Sequence, residues 1–121
     1  DTRLSFVKGE RVCIPPPPTI ADGMRTQAPG ALTFPVLQRT AEDVLTVTEE
    51  EIVATVRFML FRMKMLVEPT GAVAAAAVLF GKLPSDIRRA GVVLSGGNVD
   101  SDVLAGLLSQ ENDNDDSRML K

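Results

Sequence analysis

Between positions 49 and 66 apolar residues recur at helical spacing. Ile52, Val53, Val56, Met59, Leu60 and Met63 make one stripe, and Phe58, Phe61 and Met65 make a second between Arg57, Arg62 and Lys64. Thr48-Glu49-Glu50-Glu51 just before them has the form of a capping box, and three acids in a first turn suit the helix dipole. The pattern predicts a helix from Glu49 to about Leu66, covered on two sides. A deep core would explain that, and so would packing against another part of the protein or another subunit. Pro69 stops this helix, because the residue before a proline is pushed out of the helical region, and Thr70 is the expected cap of the next. Ala72 to Phe80 is Ala-rich and predicts a buried helix that a neighbour can approach closely. After a turn at Leu83-Pro84-Ser85 and a polar connection in which Arg88 and Arg89 read as solvent charges, Gly91 opens the apolar run Val92-Val93-Leu94. That run predicts a strand, Gly96-Gly97 a tight turn, and Ser101 to about Ser109 a helix capped by Asp100 or Ser101.

The first forty-odd residues are patterned less clearly. Residues 1 to 18 show no clean period and read as a loop with one short strand. Pro15 to Pro18 form an extended, polyproline-like strut. Thr19 is the expected cap of a short helix ending near Gly23, and Pro29-Gly30 makes a turn. Thr33-Phe34-Pro35 begins a helix that ends around Thr40, with proline where its missing N–H costs nothing. Asp43 to Val47 reads as a short strand. At the other end, residues 111 to 121 are acidic and polar and read as a mobile tail after a folded part spanning residues 1 to 110.

Composition narrows the function classes. A chain of 121 residues with 45% hydrophobic content suits one soluble domain. The net charge of -3, without a basic stripe and with no Trp or Tyr, argues against nucleic acid as a partner. The apolar run from Gly71 to Phe80 falls well short of the roughly 20 residues a bilayer requires. The single cysteine, Cys13, has no internal disulfide partner, which suits a reducing cytoplasm, and reads as a small buried or half-buried hydrophobe. With no histidine, Ser-His and Cys-His catalysis and His-ligated metals are excluded for these residues. The chain opens on Asp1 without methionine or a signal-like region, as an internal or processed piece would.

The most chemically suggestive stretch is Leu94-Ser95-Gly96-Gly97-Asn98-Val99-Asp100. A serine at the carboxyl end of a strand, followed by a glycine turn, is placed where open α/β sheets bind ligands, although an ordinary β-to-α turn would have the same residues. With Pro18-Thr19-Ile20-Ala21-Asp22-Gly23 upstream and Val67-Glu68-Pro69-Thr70-Gly71-Ala72 between, it resembles the pyridoxal-phosphate (PLP) dependent serine/threonine dehydratase and serine racemase family. The match covers about residues 1 to 103, the last third of such an enzyme. The resemblance implies an α/β fold of three layers, a mostly parallel sheet flanked by helices, as part of the tryptophan-synthase-β-like architecture.

The same resemblance assigns the site. Ser95 would hydrogen-bond the pyridine nitrogen of PLP, with Gly96, Glu68 and Gly23 beside the cofactor and Asp22 lining the substrate pocket. Asp1 falls where the family has a ligand for a divalent cation, magnesium or calcium. From the residues alone, an acid beside a helix start, such as Glu68, often only complements the dipole, and a lone terminal carboxylate such as Asp1 is usually solvated, so both readings stay open. The family's Schiff-base lysine and its phosphate-binding glycine loop lie upstream of the matched region. Lys8, Lys64, Lys82 and Lys121 stand outside any resembling context. The expectation is therefore the carboxyl-terminal portion of a cytoplasmic ammonia-lyase. With its amino-terminal part, and as a homo-oligomer, it would dehydrate L-threonine or L-serine to a 2-oxo acid and ammonia, whereas alone it would be inactive. Serine racemisation and hydroxyaspartate dehydration remain open within the family, and a non-catalytic α/β interaction module remains open outside it.

Overall fold

Thr48 starts the most regular part of the molecule. Its hydroxyl accepts the Glu51 N–H at 3.2 Å while the Glu51 carboxylate accepts the Thr48 N–H at 2.8 Å, so the expected capping box forms in full. In this computed structural model, which describes residues 1–109, the elements in chain order are α1 (Thr2–Lys8), a 3-10 turn (Asp22–Met24), α2 (Phe34–Thr40), α3 (Glu49–Phe61), α4 (Pro69–Leu79) and α5 (Ser101–Ser109). The predicted tail at 111–121 lies outside the described residues. The chain divides into two units, Asp1–Thr46 and Val47–Lys121.

In the second unit, α3 packs on α4 and on α5. Ile52, Val56 and Met59 from the first predicted stripe are buried with Val67, Ala72, Ala75, Ala76 and Leu107. Each large aliphatic side chain buried in this way contributes about 1.5–3 kcal/mol. Met63, Phe61 and Met65 stay exposed, so burial follows the amino-terminal part of the first stripe only. The other Glu51 carboxylate oxygen meets the Lys82 ammonium at 2.7 Å, joining the start of α3 to the chain just past α4. Arg57 donates from Nη1 to the carbonyls of Leu107 and Leu108, at 3.1 and 2.9 Å, and so satisfies the carboxyl end of α5.

Several boundaries differ from the expectation. α3 stops at Phe61 rather than Leu66, because Lys64 takes a left-handed φ of 59° and the Met65 N–H turns back to the Met59 carbonyl at 2.9 Å. The Lys64 ammonium covers the Phe61 carbonyl at 2.8 Å. Glu68, not Thr70, occupies the cap position of α4, and Pro69 provides its first turn. No strand forms among the described residues, neither at Gly91–Leu94 nor at Asp43–Val47. A strand requires a paired neighbour. Val44 instead gives its N–H to the Asp43 carboxylate at 2.7 Å and its carbonyl to Arg3 at 2.6 Å. Val92 and Val93 lie exposed.

In the first unit, α1 replaces the loop and strand expected there. The Asp1 carboxylate caps it, accepting the Thr2 N–H at 2.6 Å. Ser5, fully buried, donates to the Asp1 carbonyl at 3.0 Å and accepts the Val12 N–H at 2.9 Å. Leu4 and Val7 are exposed, so this helix has no apolar stripe for periodicity to reveal. Thr19 accepts the Ala21 N–H at 3.1 Å but does not cap the 3-10 turn that follows. α2 forms where expected, with Pro35 in its first turn and Phe34 buried.

Candidate cofactor site

Leu66, the first turn of α4 and the Ser95–Gly97 turn meet backbone to backbone. Gly96 has a φ of 89°, a conformation other residues rarely adopt, and a Cβ there would run into the Glu68 carboxylate. A Cβ on Gly97 would stand 3.1 Å from the Leu66 carbonyl oxygen. On the facing side, a Cβ on Gly71 would be 3.0 Å from the Gly96 carbonyl oxygen and closer still to that of Ser95. The Glu68 N–H points to the Gly96 carbonyl over a long 3.5 Å. Beyond the turn, Val99 bonds back to the Gly97 carbonyl at 3.1 Å, and Leu104 donates to the Asp100 carbonyl at 2.9 Å to start α5.

Three of the expected site residues, Ser95, Gly96 and Glu68, are thus brought together. Ser95 is exposed, and its hydroxyl makes no hydrogen bond among the described residues. Glu68 is half-buried, its carboxylate against the Gly96 backbone. A hydroxyl of this kind, exposed on a turn that packs closely on the first turn of α4, has the donor chemistry that a pyridine nitrogen of PLP accepts.

The other three candidates lie in the first unit. Asp22 and Gly23 form the exposed 3-10 turn, where the Gly23 N–H donates to the Asp22 carboxylate at 2.8 Å. Asp1 is engaged on both carboxylate oxygens. Oδ1 accepts from Thr2, and Oδ2 accepts the Thr26 hydroxyl at 2.9 Å. Among the described residues no group of three His, Cys, Asp or Glu could hold a metal ion. A hard cation needs several oxygens, so the described residues do not by themselves fit one. The residue that sequence reasoning passed over is Gly71. Its signal was a glycine in the first turn of an otherwise Ala-rich helix, where alanine would favour the helix more.

Comparison with known proteins gives the family. The family model for pyridoxal-phosphate dependent enzymes matches residues 2–96, and the chain belongs to that family. It is 44% identical over 108 residues to an L-threo-3-hydroxyaspartate ammonia-lyase of a Pseudomonas species, covering 89% of this chain and 34% of that protein. It is also 44% identical over 110 residues to the serine racemase of Schizosaccharomyces pombe, covering 91% of this chain and 34% of that one. The crystal structure of a threonine deaminase from T.th. superposes with a TM-score of 0.76 at 41% identity, over 83% of this chain and 34% of that chain. The chain thus spans about a third of the length of the relatives it matches. These structural neighbours are α/β enzymes, whereas the described residues here show helices and connections alone. No helix among the described residues is long and apolar enough to cross a membrane.

Proposed function

We propose that this chain is the carboxyl-terminal portion of a PLP-dependent ammonia-lyase, and that it supplies the pyridine-nitrogen end of the cofactor site. The intact enzyme eliminates water from L-threonine or L-serine to give a 2-oxo acid and ammonia. It works in the cytoplasm as a homo-oligomer, and the amino-terminal part contributes the anchoring lysine and the phosphate cradle. In that assembly the Gly91–Leu94 run gains neighbours and becomes a strand of a mostly parallel sheet. The observation that carries the reading is the exposed Ser95 hydroxyl, on a turn whose glycines bring it against Leu66, Glu68 and the first turn of α4.

When bound, PLP supplies the electron sink that lets the Cα proton of an amino acid depart and the β-hydroxyl leave. Ser95 would donate its O–H to the ring nitrogen, and as a neutral hydroxyl it would not hold that nitrogen protonated as a carboxylate would. Glu68 keeps its carboxylate beside this end of the site and shapes its electrostatics. Gly96 leaves room for close approach of the backbone. A divalent cation at Asp1 would need further oxygens from outside the described residues, and no step depends on it.

Ser95→Ala in the complete enzyme tests the reading. Elimination is expected to slow by at least about tenfold, equivalent to ~1.4 kcal/mol of transition-state stabilisation. Unchanged kinetics together with an unchanged cofactor absorption spectrum would overturn the assignment.

A further inference from the structure

We infer that Gly71 is a positioning residue for the Ser95 hydroxyl. Its missing side chain lets the serine turn rest on the first turn of α4, and that contact sets where the hydroxyl sits. The inference rests on the assignment of Ser95 to the ring nitrogen, and adds to it a residue that donates no group to cofactor or substrate.

Glycine weakens a helix relative to alanine, and Gly71 is followed by Ala72 in a helix that otherwise favours alanine. The reason for glycine lies across the contact. The atoms a Cβ would meet are backbone carbonyl oxygens of Ser95 and Gly96, not the far end of a flexible side chain that could swing aside. One of the two backbones would therefore have to move. The atom met first belongs to Ser95 itself, so the displacement is delivered at the residue whose hydroxyl matters.

The neighbouring glycines fix the turn from other sides. Gly96 has a left-handed φ and lies against the Glu68 carboxylate, and Gly97 lies close to the Leu66 carbonyl. The turn is thus closely packed on those sides as well, so a shift forced at position 71 disturbs those contacts and is read out at Ser95–Gly97. Gly106 in α5 provides the contrast, because a Cβ there meets nothing within 4 Å.

The test is a double-mutant cycle in the complete enzyme, with PLP affinity measured by fluorescence titration, kcat and KM measured separately, and amide hydrogen exchange at Ser95–Gly97 followed without cofactor. Gly71→Ala should weaken PLP binding and lower kcat by at least about tenfold each, as displacement of a positioned group by a fraction of an ångström to an ångström does. It should also speed exchange at Ser95–Gly97, while KM shifts little and Gly106→Ala changes none of these. In a Ser95→Ala background, adding Gly71→Ala should change PLP affinity by less than about twofold, because the group it displaces is already gone. Full additivity, or a Gly71→Ala enzyme that behaves like Gly106→Ala, would overturn the inference. If Gly71→Ala does not fold, Gly97→Ala is the milder push on the same turn. A loss of about threefold that vanishes in the Ser95→Ala background supports the inference, and a loss that persists there overturns it. Should Ser95→Ala alone leave affinity and spectrum unchanged, the ring-nitrogen assignment falls first, on a result that needs no Gly71 variant.

Discussion

The two units of this molecule are held together by different physics. In Asp1–Thr46 the described structure is a web of polar side chains bonded to backbone. Asp1 caps α1, Ser5 bridges the Asp1 carbonyl and the Val12 N–H, Arg25 grips the Thr19 carbonyl at 3.0 and 2.8 Å, and Gln38 reaches the Gly9 carbonyl at 3.0 Å. In the unit from Val47, α3, α4 and α5 bury an apolar core, and glycines let backbone touch backbone beside Ser95. Apolar burial is non-directional and tolerates relaxation, whereas a buried hydrogen bond that loses one partner leaves the other at full desolvation cost. The two halves should therefore fail in different ways.

The largest effect is expected in the apolar unit. Ile52→Ala removes a buried side chain between α3 and its neighbours and should cost about 2–5 kcal/mol by urea unfolding. A smaller loss would mean that the helices repack readily and that the contrast is overdrawn. Ser5→Ala comes next, at about 1–3 kcal/mol, because the Val12 N–H then loses its acceptor. Its signature is specific, with faster hydrogen exchange at Val12. A neutral Ser5→Ala would remove the polar web as the explanation for the first unit.

The smallest effect belongs to the surface. The backbone N–H at Glu50 and the Thr48 hydroxyl hold the Glu50 carboxyl below its ordinary pKa, and the group is fully exposed. A carboxyl whose pKa is lowered on folding adds stability above its unfolded value and loses it as pH falls through the folded value. Glu50→Gln should therefore be slightly less stable than the parent at neutral pH. The two curves should converge below the folded-state pKa of Glu50. A difference that grows on acidification would contradict the assigned cause.

How much of this was legible in the sequence follows the same division. The Thr48–Glu51 capping box, α2 after Thr33 and the Ala-rich α4 could be read directly, because caps, prolines and apolar composition are local signals, although α4 is buried on one face only and leaves Ala74 and Val78 exposed. α1 could not, since its support is the Asp1 cap and Ser5 rather than an apolar face. The end of α3 was missed because a lysine, Lys64, takes the left-handed turn that usually announces itself as glycine. The strand at Val92–Leu94 was read from composition, but strands form by pairing, and no pair exists among the described residues. At the site, the motif resemblance named Ser95, Gly96 and Glu68, which the structure brings together, while the close approach at Gly71 became visible only when the Ser95 carbonyl was found against it.

The central claim is that Ser95 is the partner of the PLP ring nitrogen. The most direct measurement is nuclear magnetic resonance of PLP isotopically labelled at that nitrogen, bound to the complete enzyme and to its Ser95→Ala and Ser95→Asp variants. The account predicts an unprotonated, hydrogen-bonded nitrogen in the parent, a signal moved by Ser95→Ala as the bond is lost, and a signal moved toward the protonated form by Ser95→Asp. A nitrogen signal indifferent to both substitutions would contradict it.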